Sequence, residues 1–262
     1  MLGAIIGDIV GSRFEFRDFK SKAFELFHPE CDYTDDTICT VATADWLMND
    51  EALQACQYQV TLLDYCRKYP NPMGGYGGSF ARWIRSESPK PYGSFGNGSA
   101  MRVSPIGWFC NTLEETLDVA ERSATVTHNH PEGVKGAQAV AVAIFLARFG
   151  KSKEEIKEDI VTRFGYELDK TCDQIRPTYQ FNETCQGTVP QAITAFLDST
   201  DFEEAIRLAV SLGGDSDTLT CITGAIAEAY YGIPDALVNR ALQYLPEDLL
   251  EVCTTFRSRI IR

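Results

Sequence analysis

The sequence has few basic residues: 24 Lys and Arg stand against 37 Asp and Glu, which gives a formal net charge of −13. Nucleic-acid-binding proteins usually present a basic stripe, so this balance argues against a nucleic-acid partner. Long hydrophobic runs are also missing. Residues 137–147, the most apolar later segment, are too short to cross a bilayer, and the N-terminal segment lacks the basic start of a signal peptide. We therefore expect a cytoplasmic protein without a membrane partner.

Cysteine pairs with metal-binding spacing are absent. None of the nine cysteines forms a C-x-x-C motif, which excludes a zinc ribbon and a thioredoxin motif. The odd number and irregular spacing are typical of free, mostly buried thiols in a reducing compartment. Histidine is scarce as well, and the three present, His28, His128 and His130, define no Ser/His/Asp or Cys/His arrangement.

Strand-like alternation of apolar and polar residues is also rare, whereas helical spacing is frequent. Apolar spacing predicts helices over residues 37–49, 53–68, 113–125, 133–149, 153–165, 189–197, 205–212 and 219–230. Gly3, Gly7 and Gly11 predict an opening helix that packs closely on another backbone in the core. Residues 70–104 and 171–188 look irregular, but neither resembles a flexible linker. We expect one all-α domain over residues 1–262.

Two acidic motifs stand at predicted helix starts: Thr34-Asp35-Asp36-Thr37, and Gly213-Gly214-Asp215-Ser216-Asp217-Thr218. Thr34 and Asp215 are candidate N-caps. Either motif alone could simply stabilise a helix N-terminus. Four carboxylates together near a core repel one another and lose hydration, and divalent cations relieve both costs. Oxygen-only ligands favour Mg²⁺, Mn²⁺ or Ca²⁺ over zinc, and the motifs could hold two ions about 3.5–4 Å apart.

Two glycine-rich segments, residues 73–79 and 93–99, could bind phosphate through backbone N–H groups or could simply form tight turns. Neither contains a P-loop or completes G-x-G-x-x-G. Tyr76 and Phe95 could stack on a base, or could anchor their loops in the core.

Six motifs, taken in order, resemble the ADP-ribosylglycohydrolase family. The resemblance runs from Gly3 to about Pro234, and it implies an all-α domain of the ADP-ribosylglycohydrolase type with a binuclear Mg²⁺ or Mn²⁺ centre. The motifs are Gly3-Ala4-x-x-Gly7-Asp8 continuing to Glu15, Thr34-Asp35-Asp36-Thr37, Gly96-Asn97-Gly98-Ser99-x-Met101-Arg102, Thr127-His128-x-x-Pro131, Thr188-Val189-Pro190-x-Ala192, and Gly213-Gly214-Asp215-Ser216-Asp217-Thr218.

The resemblance also implies roles for individual residues. Thr34, Asp35, Asp36 and Asp217 would hold one ion, and Asp215, Asp217 and Thr218 would hold the other. Glu15, with Asp35 and Asp36, would be catalytic, and Glu15 would act either as the base or only to position the ligand. The implied substrate-binding residues are Gly74, Gly75, Tyr76 and Gly77 in the first loop, Gly93, Ser94, Phe95, Gly96, Asn97 and Gly98 in the second, and Met101 and His128.

The implied reaction is metal-dependent hydrolysis of the glycosidic bond between ADP-ribose and an acceptor, with protein arginine as the preferred acceptor. Two alternatives stay open: a hydrolase of ADP-ribosyl-serine, O-acetyl-ADP-ribose or another small conjugate, and a non-catalytic relative that binds ADP-ribose or serves a structural role. The retained four aspartates and Glu15 favour activity. The partner would be an ADP-ribosylated protein or a small ADP-ribose conjugate, and we expect a monomer.

Overall fold

The computed structural model describes residues 1–260, in which fifteen α-helices and one 3₁₀ helix form the fold. Apart from two isolated bridges, the described residues contain no β-structure, so the all-α prediction is confirmed. The α-helices are α1 Leu2–Ser12, α2 Asp35–Asn49, α3 Ala55–Lys68, α4 Gly78–Arg85, α5 Gly98–Met101, α6 Ser104–Phe109, α7 Leu113–Thr125, α8 Pro131–Arg148, α9 Lys153–Phe164, α10 Cys172–Ile175, α11 Cys185–Asp198, α12 Phe202–Leu212, α13 Ser216–Tyr231, α14 Asp235–Ala241 and α15 Glu247–Ile260; the 3₁₀ helix is Leu242–Tyr244.

All the predicted helices are present, with ends shifted by a few residues. The interpretation of residues 70–104 as irregular is wrong in part, because α4 lies within them. Phe80, Trp83 and Ile84 are buried along one face of this helix at i, i+3 and i+4 spacing. A high local content of Gly, Pro and Ser concealed this short amphipathic pattern. The other predicted irregular stretch, residues 171–188, likewise contains α10 and the start of α11.

Helix α1 packs along α13 at very short range. A Cβ atom at Gly3 would clash with the carbonyl of Gly224, and one at Gly7 would clash with the carbonyl of Thr220. At Gly11 a Cβ atom would lie 2.5 Å from the carbonyl oxygen of Ser216, so the two helices run antiparallel. The predicted close packing of the glycine stripe is therefore confirmed. It brings the C-terminal end of α1 to the N-terminus of α13.

The structure tests some of the remaining expectations and leaves others as predictions. The cysteines are free and all but Cys56 are buried, as predicted. No helix within residues 1–260 is long and apolar enough to span a bilayer. The cytoplasmic compartment and the monomeric state stay predictions. Residues 261–262 of the predicted single domain lie outside the described part of the chain.

Candidate metal centre and substrate cleft

The two acidic motifs lie together because the N-termini of α2 and α13 meet beside the end of α1. Thr34 caps α2, as predicted: its Oγ1 accepts a hydrogen bond from the backbone N–H of Asp36 at 3.2 Å. Thr218 Oγ1 donates to Asp36 Oδ1 at 3.3 Å, which joins the motifs directly. Asp215 stands at the N-cap position of α13, as predicted, but it does not cap the helix with its side chain. Its side chain instead accepts from Asn97 Nδ2 at 2.6 Å.

The carboxylate oxygens are arranged as a cation site would require. One oxygen from each of Glu15, Asp215 and Asp217 lies within 4.8 Å of the other two. Asp36 Oδ2 and Asp217 Oδ1 are buried and have no hydrogen-bond partner. A buried carboxylate oxygen without a donor is costly, and a divalent cation would satisfy both oxygens. These residues therefore fit a hard divalent cation, which oxygen donors prefer to bind.

Electrostatics favours positive charge at the same place. Burial, and then repulsion by neighbouring carboxylates, raises the pKa values of Asp35, Asp36 and Asp217 well above the ordinary range. Burial also raises the pKa of Asp215 to about 6, although hydrogen bonds oppose this rise. Burial, and then repulsion by neighbouring carboxylates, raises the pKa of the half-buried Glu15 to about 8. In the absence of a cation, these groups therefore hold protons that ordinary carboxylates would release.

Asp8 is a site residue to which sequence reasoning gave no role. It is fully buried in α1 and accepts four hydrogen bonds from the N-terminus of α2. The donors are the N–H of Thr34 at 2.9 Å, its Oγ1 at 2.7 Å, the N–H of Thr37 at 3.1 Å and its Oγ1 at 2.5 Å. Burial raises the pKa of Asp8 to about 6 against the effect of these bonds. A lone carboxylate within an apolar, glycine-striped helix was the signal that could have identified it.

A cleft of about 480 Å³ extends from the carboxylates over the glycine loops. The second loop is held against the start of α11 and the residues just before it by two hydrogen bonds. In these, Asn97 N donates to Glu183 O at 2.7 Å, and Cys185 N donates to Phe95 O at 2.9 Å. The predicted site residues that line the cleft are Glu15, Asp35, Asp36, Gly75, Gly77, Gly93, Ser94, Phe95, Gly96, Asn97, Gly98, Met101, His128, Asp215, Asp217 and Thr218. Its other lining residues include Ser79, Tyr92, Arg102, Glu183 and Thr184.

Three predicted residues are not among the lining residues. Thr34 is fully buried behind the carboxylates. Gly74 lies against Glu15, and a Cβ atom at this position would clash with Oε2 of that carboxylate. Tyr76 turns away from the cleft: its hydroxyl donates to the carbonyl of Tyr69 at 2.7 Å. Of the two possibilities open for Tyr76, the structure matches the one in which it anchors its loop.

His128 is buried beside the second glycine loop, and a Cβ atom at Gly98 would lie 3.2 Å from its Nε2. Burial, and then the charge of Arg102, lowers its pKa well below the ordinary value, so the ring is neutral. Thr127 Oγ1 lies 2.6 Å from His128 Nδ1 and accepts from Arg102 Nη2 at 3.0 Å. Thr127 Oγ1 can donate its proton to Nδ1 while it accepts from Arg102, and in that tautomer the ring proton lies on Nε2. In that tautomer His128 offers an N–H donor to the cleft.

These features define a class of protein: an all-α domain with an acidic, cation-ready cleft bordered by glycine loops. The model of the family described as ADP-ribosylglycohydrolase matches residues 1–260. The chain therefore belongs to the ADP-ribosylglycohydrolase family of hydrolases, as the sequence motifs implied.

Individual relatives are similar over most of their length. ADP-ribosylhydrolase ARH3 of Mus musculus is 26% identical, and the match covers 98% of this chain and 86% of the relative. ADP-ribosylarginine hydrolase Tri1 of Pseudomonas putida is 28% identical, with coverage of 89% and 70%. A solved ADP-ribosylglycohydrolase-related protein complex superimposes with a TM-score of 0.73 at 25% identity, covering 99% of this chain and 97% of that one.

Proposed function

We propose that the protein removes ADP-ribose from arginine side chains of modified proteins, using two divalent cations, Mg²⁺ or Mn²⁺, held by the carboxylate cluster. The observation that carries this proposal is the pair of buried carboxylate oxygens, on Asp36 and Asp217, that have no hydrogen-bond partner and belong to the two motifs in contact. Asp36 and Asp217 line a cleft that the glycine loops also border, so one ligand can contact the carboxylates and the loops together.

The loops and His128 offer the contacts that a diphosphate needs. In the segment 93–98 the backbone N–H groups of Gly93, Gly96 and Asn97 are already engaged within the protein. The other N–H groups of this segment and an Nε2–H of neutral His128 would be the donors, and donors of this kind bind phosphate oxygens. Phe95 has 45% of its surface exposed, and an exposed ring at the edge of the cleft is suited to stacking on adenine. ADP-ribose bound in this way would direct its distal ribose toward Glu15 and the aspartates.

The carboxylate end supplies the chemistry. Thr34, Asp35, Asp36 and Asp217 would hold one ion, and Asp215, Asp217 and Thr218 the other. Bound cations would fix the vicinal hydroxyls of the distal ribose and offset developing charge. The glycosidic bond breaks with oxocarbenium character, and the attacking water must lose a proton. Glu15 lies within reach of the cluster, and its ionised form, which bound cations would favour, could accept that proton as a general base.

Two observations favour arginine as the acceptor. A relative whose name states arginine specificity is 28% identical over 89% of this chain. The net charge of −13 also attracts cationic targets. The ADP-ribosyl-serine and small-conjugate alternatives remain outcomes of the test.

The test is ADP-ribose release from an arginine-ADP-ribosylated peptide with Mg²⁺ or Mn²⁺ added, and again after chelation. We expect metal-dependent release that falls about a hundredfold or more in Asp36→Asn and Asp217→Asn, because each ligand supports several kcal/mol of charge stabilisation. Asp64→Asn, an exposed carboxylate on α3, is the matched control and should stay near wild type. In Glu15→Gln, near-normal turnover with metal bound would exclude the general-base role.

Release that survives chelation and both aspartate substitutions would overturn the metal dependence. Release only from serine or acetyl conjugates would overturn the choice of arginine. Tight ADP-ribose binding without release from any conjugate would identify a non-catalytic relative.

A further inference from the structure

Two exposed phenylalanines stand together beside Glu15, outside the main cleft. Phe16 has 72% of its surface exposed and Phe181 has 45%. Their rings stack with centroids 6.0 Å apart and an angle of 27° between the planes, although the residues are far apart in sequence. Exposing two large apolar rings side by side costs hydrophobic free energy, and such a patch commonly marks a binding surface.

A second cavity of about 380 Å³ lies at these rings, and its lining includes Glu15, Phe16, Gln180, Phe181 and Gly214. Glu15 also lines the main cleft, so the two spaces meet at this residue. If ADP-ribose fills the main cleft and its glycosidic bond lies at Glu15, the acceptor side of that bond faces the second cavity.

Arg17 and the nearby Lys20 are already engaged with other groups. Arg17, which also lines the second cavity, pairs with Glu30 at 3.5 Å. Lys20 Nζ lies 2.7 Å from Asp18 Oδ1 and donates to two backbone carbonyls at 2.6 Å each. In contrast, Glu15 forms no ion pair within residues 1–260, and neither does Glu183, which lines the adjoining main cleft. The surface therefore combines two aromatic faces with the Glu15 carboxylate, which lacks a cationic partner, whereas Asp18 at the same cavity is paired with Lys20.

We propose that Phe16 and Phe181 bind the acceptor part of the conjugate, and that the group they bind is a guanidinium. A guanidinium is planar, cationic and weakly hydrated, so it stacks on aromatic faces and pairs with carboxylates. A serine or acetyl acceptor has neither the plane nor the charge to use this surface. The proposal rests on the proposed function for the position of the ADP-ribose moiety, and it assigns the acceptor preference to two particular rings.

The test compares Phe16→Ala, Phe181→Ala and the double variant with a control, Phe149→Ala. Phe149 is another exposed phenylalanine and lies at the C-terminal end of α8. Calorimetry with metal chelated, so that turnover is prevented, gives the Kd of an ADP-ribosyl-arginine peptide and the Kd of ADP-ribose in the same buffer. Their ratio reports the acceptor contribution alone. We expect the ratio to change about two- to fivefold for each ring and about tenfold for both, while the Kd of ADP-ribose changes less than about twofold. Phe181→Trp should retain the wild-type ratio.

An unchanged ratio in the double variant would overturn the proposal, and so would an equal loss of affinity for an ADP-ribosyl-serine peptide. Failure of the proposed function would be recognised by a different result: the wild-type protein would release no ADP-ribose when Mg²⁺ is present. The binding ratio tests the role of the two rings whether or not turnover occurs.

Discussion

Substitution of Asp8 by Asn separates the structural role of this residue from its charge. Oδ2 of Asp8 accepts three hydrogen bonds, from Thr34 N, Thr37 N and Thr37 Oγ1, and Oδ1 accepts one from Thr34 Oγ1. An asparagine can place its single oxygen where Oδ2 lies and keep three of the four bonds. Its NH₂ group then faces Thr34 Oγ1, which must accept a hydrogen bond instead of donating one.

The expected effect on folding is small and the effect on metal binding is larger. Exchanging charge-assisted bonds for neutral ones costs about 1–2 kcal/mol, and the loss of a buried carboxylate with a pKa of about 6 offsets part of this. Turning the hydroxyl of Thr34 uses the oxygen lone pair that an ion would need, and one negative charge is lost nearby. Residues that orient metal ligands typically contribute ten- to a hundredfold in affinity, so we expect Asp8→Asn to weaken Mn²⁺ binding by about that factor.

Calorimetric titration with Mn²⁺, together with thermal unfolding of the metal-free protein, measures both effects. Asp45→Asn, on the same helix α2 and away from Asp8, is the control. Asp8→Ala should fail to fold, because four buried donors lose their acceptor at about 1–3 kcal/mol each, a sum comparable to the whole stability of a domain. Wild-type Mn²⁺ affinity in Asp8→Asn, or a loss of folding as severe as in Asp8→Ala, would refute the reasoning.

Three further outcomes can be checked directly. Gly7→Ala should lower the free energy of unfolding by several kcal/mol, since its methyl group would clash with the backbone of α13. Gly77→Ala is the control, because the space around Gly77 is open. Equal melting temperatures for the two variants would contradict the close packing. The metal-free protein should be more stable near pH 5 than near pH 8. Carboxyls such as Asp215, with a pKa of about 6 against an ordinary 3.8, bind protons more tightly in the folded state, and this stabilisation is lost as the pH rises. Mn²⁺ should therefore raise the melting temperature more at pH 8 than at pH 5, and the opposite trend would be evidence against the cluster. His128→Phe should weaken ADP-ribose binding by about tenfold or more in calorimetry, through loss of the Nε2–H donor, and an unchanged Kd would exclude that role.

Much of the carboxylate cluster could be predicted from the sequence because its aspartates are adjacent in the chain. Asp35 and Asp36, like Asp215 and Asp217, lie in one short motif at a helix start, and a helix N-terminus fixes where the first turn points. The substrate loops were less predictable. Tyr76 and Phe95 both lie in glycine-rich segments, yet one ring turns inward and the other outward. That difference depends on carbonyls at the end of α3 that accept the Tyr76 hydroxyl, which no local pattern reveals.

The remaining site residues follow from one long-range contact, the approach of α1 to α13. Glycines at positions 3, 7 and 11 remove the side chains that would hold the helices apart. Asp8, one residue after the middle glycine, points instead to the N-terminus of α2 and fixes the first acidic motif. The chain leaving α1 then carries Glu15 to the second motif and Phe16 to Phe181. The helix that contains no predicted metal ligand thus positions both motifs and the proposed acceptor surface, so a small displacement of α1 should impair metal binding and acceptor recognition together.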